Sequence, residues 1–265
     1  MHDSTLDLGL IGNGSFGALV DKHARVVWSC LPAFDGDPAF CALLSPRDHE
    51  GGDFAIELED FAGSEQHYLT NTAILRTVLR DHHGGEVEIL DFAPRYRRNG
   101  RFYRPVSIVR RVTPLAGAPR IRVRLRPLAD WGARMPERTW GSNHMRWLLP
   151  DFTLRLTTDV PVRFVRDATP FILAHPVHLV LGVDEPLDRT LSGYVDETLR
   201  NTADYWREWV RYLSIRLDWQ DAVIRSAITL KLCQYEDSGA IIAAMTTSVP
   251  EAPGTPRNWD SVSYT

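Results

Sequence analysis

The sequence predicts a mainly β chain: a large antiparallel two-sheet β-sandwich, then one long helix, then the start of an all-α unit. Three observations predict it. From Asp53 to Val183 apolar residues recur with a period of two, broken by turn residues. No convincing long helical stripe occurs before Ser192. Beyond Ser192 the period changes to three or four, as a helix requires. The expected division is a β-sandwich over residues 1–191, a linker helix over 192–216, and the beginning of an all-α domain over 217–265.

Leu8–Ile11 and Ala24–Cys30 read as short strands around glycines and the turn Asp21-Lys22-His23. The stretch Gly12-Asn13-Gly14-Ser15-Phe16-Gly17 matches the dinucleotide pattern G-x-G-x-x-G, with Asp35 at a suitable distance. Only Ala18-Leu19-Val20 follow before the next turn, however, which leaves no room for a phosphate-facing helix and a second strand. Hairpin glycines that need positive φ are the better reading. Pro38–Leu44 is short and apolar, with proline first, and is expected to form about two turns of helix.

Strands are expected next at Phe54–Glu59, Ala73–Asp81, Glu86–Asp91 and Ser107–Pro114, with a turn at His82–Gly85. Arg120–Arg126 alternates strictly, which puts four arginines on one face and three aliphatics on the other. A solvated outer face neutralised by nearby acidic strands fits better than a nucleic-acid groove, because no aromatic residue interleaves the arginines. Further strands are expected at His144–Leu149, Phe152–Thr158, Val162–Val165, Pro170–Ala174 and Val177–Val183. Their number suits a large sandwich rather than an immunoglobulin-like one. His175 and His178 lack the Cys or carboxylate company of a zinc site, so no metal and no cofactor is expected.

Val195, Leu199, Ala203, Trp206, Trp209, Val210 and Leu213 mark an amphipathic helix over Ser192–Leu213. Asp218 is a candidate cap for a second helix, with Asp221 in its first turn and Gly239 at its end. That helix carries two apolar stripes, Val223-Ala227-Leu230 and Ile224-Ile228-Leu232-Tyr235, and is expected to lie between neighbours. A buried run, Ala240–Ala244, should lead into a loop rich in hydroxyls and carboxylates from Thr246 through Glu251 to Arg257, Asn258, Trp259 and Asp260. Such side chains bind polyhydroxylated ligands, so this loop is the candidate substrate-binding element.

Composition narrows the function. The chain is 44% hydrophobic and 24% charged, with a net charge of −4, so it has no global attraction for phosphate backbones or anionic membranes. Neither nucleic acid nor membrane is an expected partner. Three cysteines, Cys30, Cys41 and Cys233, form no disulfide framework and point to a reducing, cytoplasmic compartment. Met1–Ser4 begins no signal peptide, and no apolar run approaches the ~18 residues of a membrane helix.

Leu8–Gly14, Ala18–Val20 and Trp28–Asp35 resemble the trehalase-like N-terminal domain of glycoside hydrolase family 15, the bacterial glucoamylase and trehalase family. Ile224–Leu232, Gly239–Ala244, Thr246–Glu251 and Arg257–Asp260 resemble, in the same order, that family's entry into its catalytic barrel. The resemblance implies an N-terminal supersandwich, a linker helix and the first helix of a six-hairpin α/α barrel. It also implies hydrolysis of α-glucosidic bonds with inversion, which needs two carboxyls ~6.5–9.5 Å apart. After Asp260, Ser261–Thr265 departs from the Tyr-Arg-Tyr and Trp-Leu-Arg-Asp motifs that complete the family's sugar clamp. The family's catalytic glutamates fall beyond Thr265, and Glu251 and Asp260 match neither, so no catalytic residue is expected in this chain.

The chain is therefore expected to be a truncated N-terminal piece of an α-glucoside- or trehalose-hydrolysing enzyme, inactive alone, with the missing barrel portion as its partner. Trp28, Pro32, Phe34 and Asp35 are the expected sandwich residues at the barrel interface. A stand-alone carbohydrate-binding or scaffold module is the alternative, with Trp131, Trp140 and Trp147 as stacking candidates, whereas Trp206, Trp209 and Trp219 read as core.

Overall fold

The computed structural model describes residues 7–44, 51–215, 218–246 and 249. Chain order gives β1 (Gly9–Gly12), β2 (Gly17–Val20), β3 (Arg25–Cys30), β4 (Pro38–Cys41) and β5 (Asp53–Leu58). Then come β6 (Phe61–Tyr68), β7 (Leu75–Asp81), β8 (Glu86–Phe92) and the short hairpin of β9 (Tyr96–Arg98) and β10 (Arg101–Tyr103). β11 (Ser107–Ala116), β12 (Arg120–Arg126), β13 (Glu137–Trp140), β14 (His144–Leu148) and β15 (Thr153–Thr158) precede helix α1 (Val162–Arg166). β16 (Phe171–Ile172), β17 (Val177–Val183), α2 (Leu191–Arg211) and α3 (Gln220–Leu232) follow.

Two antiparallel sheets face each other. The first runs β1-β2-β3-β5-β12-β16, with β4 also on β3, and the second runs β13-β14-β15-β17-β11-β8-β7-β6. Period-two alternation explains the layer between them. Ile121, Val123 and Leu125 of β12 point into the core, where Ile56, Leu79, Ile89, Val112 and Leu181 join them. The arginines of β12 face outward over β5: Arg124 meets Asp53 at 2.5 Å and Glu57 at 2.8 Å, and Arg122 meets Glu57 at 3.4 Å. This cross-strand ladder is the acidic neutralisation that the alternation predicts.

One polar clamp crosses the core. Arg110 of β11 holds its registered neighbour Asp91 on β8 with Nε–Oδ1 2.7 Å and Nη2–Oδ2 3.0 Å, and both side chains are wholly buried. The same guanidinium donates to the carbonyls of Phe54, at 2.7 Å, and Ala24, at 2.5 Å, on the facing sheet side. All three guanidinium nitrogens are thus hydrogen-bonded, which is what makes a buried charge tolerable.

The helices cover the outer faces. Tyr194, Val195 and Ala203 of α2 pack on Ile74, Leu90, Phe92, Val109 and Val180, and Trp206 and Val210 continue into a third cluster with Leu10 and Trp28. α3 completes that cluster through Ile224, Ile228 and Leu232.

Several local expectations are corrected. Pro38–Leu44 is a strand on β3 followed by a short 3-10 turn at Ala42–Leu44, because a short apolar run does not distinguish helix from buried strand. Val162–Val165 is not a strand but the single-turn helix α1, entered from Pro161, with Val162 and Val165 buried. α3 begins from Trp219, in the left-handed region at φ 61°, and not from a capping Asp218. It ends at Leu232 with Cys233 beyond it; Gly239, at φ 77°, instead serves a tight turn in which Tyr235 N donates to Ala240 O at 2.7 Å. Ala240–Ala244 is partly to fully exposed rather than buried. One stripe of α3 is buried while Val223 and Leu230 remain 44% and 61% exposed, so among the described residues the helix has a neighbour on one side. Trp147 belongs to the inter-sheet core, and Trp219 is 83% exposed.

Candidate functional site: the junction between sandwich and helical segment

The Gly12–Gly17 turn is the centre of the junction. It closes the β1–β2 hairpin in the register Gly12↔Gly17, so no helix follows it and the dinucleotide reading is excluded. Gly14 sits at φ 84°, and a Cβ there would lie 3.0 Å from Arg95 Nη1 and 3.1 Å from Glu236 Oε2. Both conformation and space therefore demand glycine. Asn13 fixes the turn: its Nδ2 donates to Pro94 O at 3.1 Å and Pro105 O at 2.7 Å, while its Oδ1 accepts from Ser15 N at 3.1 Å.

Arg95 ties the turn to the segment after α3. Its buried guanidinium donates to Asn13 O and, at 2.7 Å, to Glu236 Oε2, and it lies 5.1 Å from the Phe102 ring centroid and 5.0 Å from that of Tyr205. Glu236 N in turn donates to Gly14 O at 2.9 Å, and Lys231 Nζ lies 3.5 Å from the carboxylate. Burial pushes the Glu236 carboxyl up, but the charge and hydrogen bond of Arg95, reinforced by Lys231, outweigh it and hold the group below its ordinary value. Alongside, Arg104 bonds Ser15 Oγ at 2.6 Å and pairs with Asp237.

The sandwich residues expected at the interface divide here. Trp28 is buried and its Nε1 donates to Met245 O at 2.7 Å; Phe34 is buried and meets Tyr235 edge-on at 6.0 Å. Pro32, after a cis peptide bond, is half-buried, and Asp35 is exposed. The geometry brings Trp28 and Phe34 against residues 224–245 and leaves Asp35 outside. Arg257, Asn258, Trp259 and Asp260 lie outside the described residues. Sequence reading missed Asn13, Arg95, Glu236 and Asp237; the G-x-G pattern drew attention to the right turn for the wrong chemistry.

Electrostatically the junction is a lock. Glu236 and Asp237 are both engaged by arginines, so neither is free to shuttle a proton. Among the described residues no cluster of three His, Cys, Asp or Glu side chains could hold a metal, and His178 Nδ1 is held by Asp159 at 2.6 Å. The Cys41 thiol is pushed up to about 11 by burial and, secondarily, by the charge of Asp37, which makes it a poor nucleophile. No helix among the described residues is long and apolar enough to cross a membrane.

Comparison with known proteins agrees with this architecture. The family model described as trehalase-like, N-terminal matches residues 5–139. Trehalase 1 of Sulfolobus acidocaldarius is 31% identical over 96% of this chain and 42% of its own length. The trehalase of Thermoplasma volcanium is 28% identical over 95% of this chain and 41% of its own, and that of Mycolicibacterium smegmatis 27% over 96% and 42%. The chain thus spans about two fifths of the curated relatives it matches, and the matched stretch runs past the sandwich through α3. A sandwich of this topology, carrying this family match over half its residues, belongs to the trehalase-like N-terminal family.

Proposed function

We propose that this chain is the N-terminal portion of a trehalase-type glycosidase of glycoside hydrolase family 15, whose whole protein hydrolyses trehalose or a glucoamylase-type α-glucoside with inversion. In this reading residues 1–191 brace the enzyme, 192–216 link, and 217–265 open the catalytic α/α barrel. The observation that carries it is the half-covered α3: Ile224, Ile228 and Leu232 are buried on the sandwich while Val223 and Leu230 stand open, as the first helix of a larger helical assembly would. The relatives support it, since their match includes α3. Arg257, Asn258, Trp259 and Asp260 would form one wall of the glucose pocket, and Trp28, Pro32 and Phe34 the sandwich side of the barrel contact, with Asp35 at its rim. The odd cysteine count supports a cytoplasmic site of action.

Because Glu236 and Asp237 are locked by arginines, the described residues offer no inverting acid–base pair at the junction, and the chain alone is inactive in this reading. Incubating the purified chain with trehalose and with maltooligosaccharides, and measuring glucose release, tests it. No release is expected; hydrolysis that co-purifies with the chain and persists after removal of host enzymes overturns the proposal of inactivity.

A further inference from the structure

The β9–β10 hairpin and the C-terminal half of α2 enclose an open groove of about 550 Å³, which adjoins the junction through the packing of Phe102 and Tyr205 on Arg95 and lies within the roughly 300–1,000 Å³ range of small-ligand sites. Its floor is written in the helix. Asn201, Tyr205 and Trp209 form one i, i+4, i+8 row, and Asp204, Glu208 and Tyr212 form the adjacent one. Phe102 from β10 lines it beside Tyr205, with the guanidiniums of Arg95 and Arg97 each 5.1 Å from its ring centroid. A second depression of about 510 Å³ shares Asp204, Glu208 and Tyr212 and carries the groove on past Arg207 and Arg211.

Two properties narrow the occupant. The first is aromatic surface held at fixed angles: Phe102 stands edge-on to Tyr205 at 6.0 Å and 90°, and Trp209 edge-on to Trp206 at 5.7 Å and 83°. Tyr212 is 80% exposed, so its ring is accessible to a ligand in the groove. The second is balanced polarity. The carboxylates of Asp204 and Glu208 are offset by Arg97 in the groove and by Arg207, whose Nη1 lies 3.6 Å from Asp204. Acceptors and donors are therefore both present with no large net field, which selects against polyanions and polycations.

Apolar ring faces beside mixed donors and acceptors match one ligand chemistry. A pyranose has a C–H face that lies on an aromatic ring and a rim of hydroxyls that both donate and accept. We propose that this groove binds a neutral oligosaccharide of several hexopyranose units, with Trp209 and Tyr212 as stacking surfaces and Asn201, Asp204 and Glu208 as hydroxyl partners. Continuity with the second depression favours a longer chain over a disaccharide. The inference stands on groove geometry and does not depend on the proposed glycosidase activity.

Calorimetric titration of the 265-residue chain with maltoheptaose, trehalose and spermine tests it. Saturable maltoheptaose binding, tighter than trehalose, is expected, and both Tyr212→Ala and Asn201→Ala should weaken it by about tenfold, or about 1.4 kcal/mol. Tyr212→Phe should retain it, and circular dichroism should show each variant folded. Absence of saturable sugar binding at millimolar concentration overturns the proposal. So does sugar binding that survives both alanine variants, or spermine binding lost in Glu208→Gln without a sugar response, which would make the groove a cation site.

Discussion

Arg95 and Glu236 meet at 2.7 Å although 141 residues separate them, and the arginine that bridges them to the Gly12–Gly17 turn is 2% exposed at its side chain. This pair fastens the segment after α3 to the sandwich. Glu236→Gln removes a charge-assisted bond and leaves Arg95 buried with a weaker partner, at an expected cost of about 1.5–3 kcal/mol. Urea unfolding followed by far-ultraviolet circular dichroism measures it.

The same pair predicts a pH response. The folded-state value of Glu236 lies below its ordinary one, so its contribution is present above about pH 4.3, the unfolded reference, and is lost as pH falls through the folded value. Hydrogen-exchange protection factors in residues 233–246, corrected for the intrinsic rate at each pH, should therefore fall below about pH 4 in the native chain, and that fall should vanish in Glu236→Gln.

Asp91→Ala should be among the most damaging substitutions in the sandwich. It leaves the wholly buried Arg110 guanidinium without its counter-charge, at a cost of about 3–5 kcal/mol. Chemical denaturation should show a lowered midpoint with an unchanged slope.

Trp28→Phe keeps the ring in the cluster beneath α3 but removes the donor to Met245 O. An unsatisfied buried carbonyl costs about 1–3 kcal/mol, and the loss should concentrate in local opening of residues 241–246 rather than of the sheets. Residue-resolved hydrogen exchange distinguishes the two.

The faces of α3 should respond unequally. Ile228→Ala vacates buried volume and should cost about 2–5 kcal/mol, whereas Leu230→Ser, at an exposed position, should stay within about 0.5 kcal/mol in this chain. A Leu230→Ser penalty of the same size as Ile228→Ala in thermal unfolding would contradict an open outer stripe.

The inter-sheet layer was legible because strands such as β12 and β14 alternate cleanly, and α2 because its stripe is long. β6 escaped notice: Phe61–Tyr68 is an edge strand of half-exposed polar residues with no apolar alternation to reveal it. α1 escaped because Val162 and Val165 are aliphatic residues on a single turn, too short for any period. The junction was half visible. Glycine spacing marked the turn, but nothing local in the sequence says that Arg95 and Glu236, far apart along the chain, converge on Gly14. Long-range polar pairing of this kind is set by the assembled sheets and carries no local signature.

The hydrogen bond from Trp28 to Met245 spans 217 residues, and the apolar surface under α3 is built from Leu10, Trp28 and Phe34 on one side and Ile224, Ile228 and Leu232 on the other. On a ribosome adding about 5–20 residues per second, the first set waits roughly 10–40 s for the second. During that interval a freshly made β1–β4 region carries tryptophan and phenylalanine without the α3 residues that cover them. The nascent chain thus has a built-in window in which a holding chaperone, or a neighbouring polysome's identical patch, competes with its own C-terminal segment.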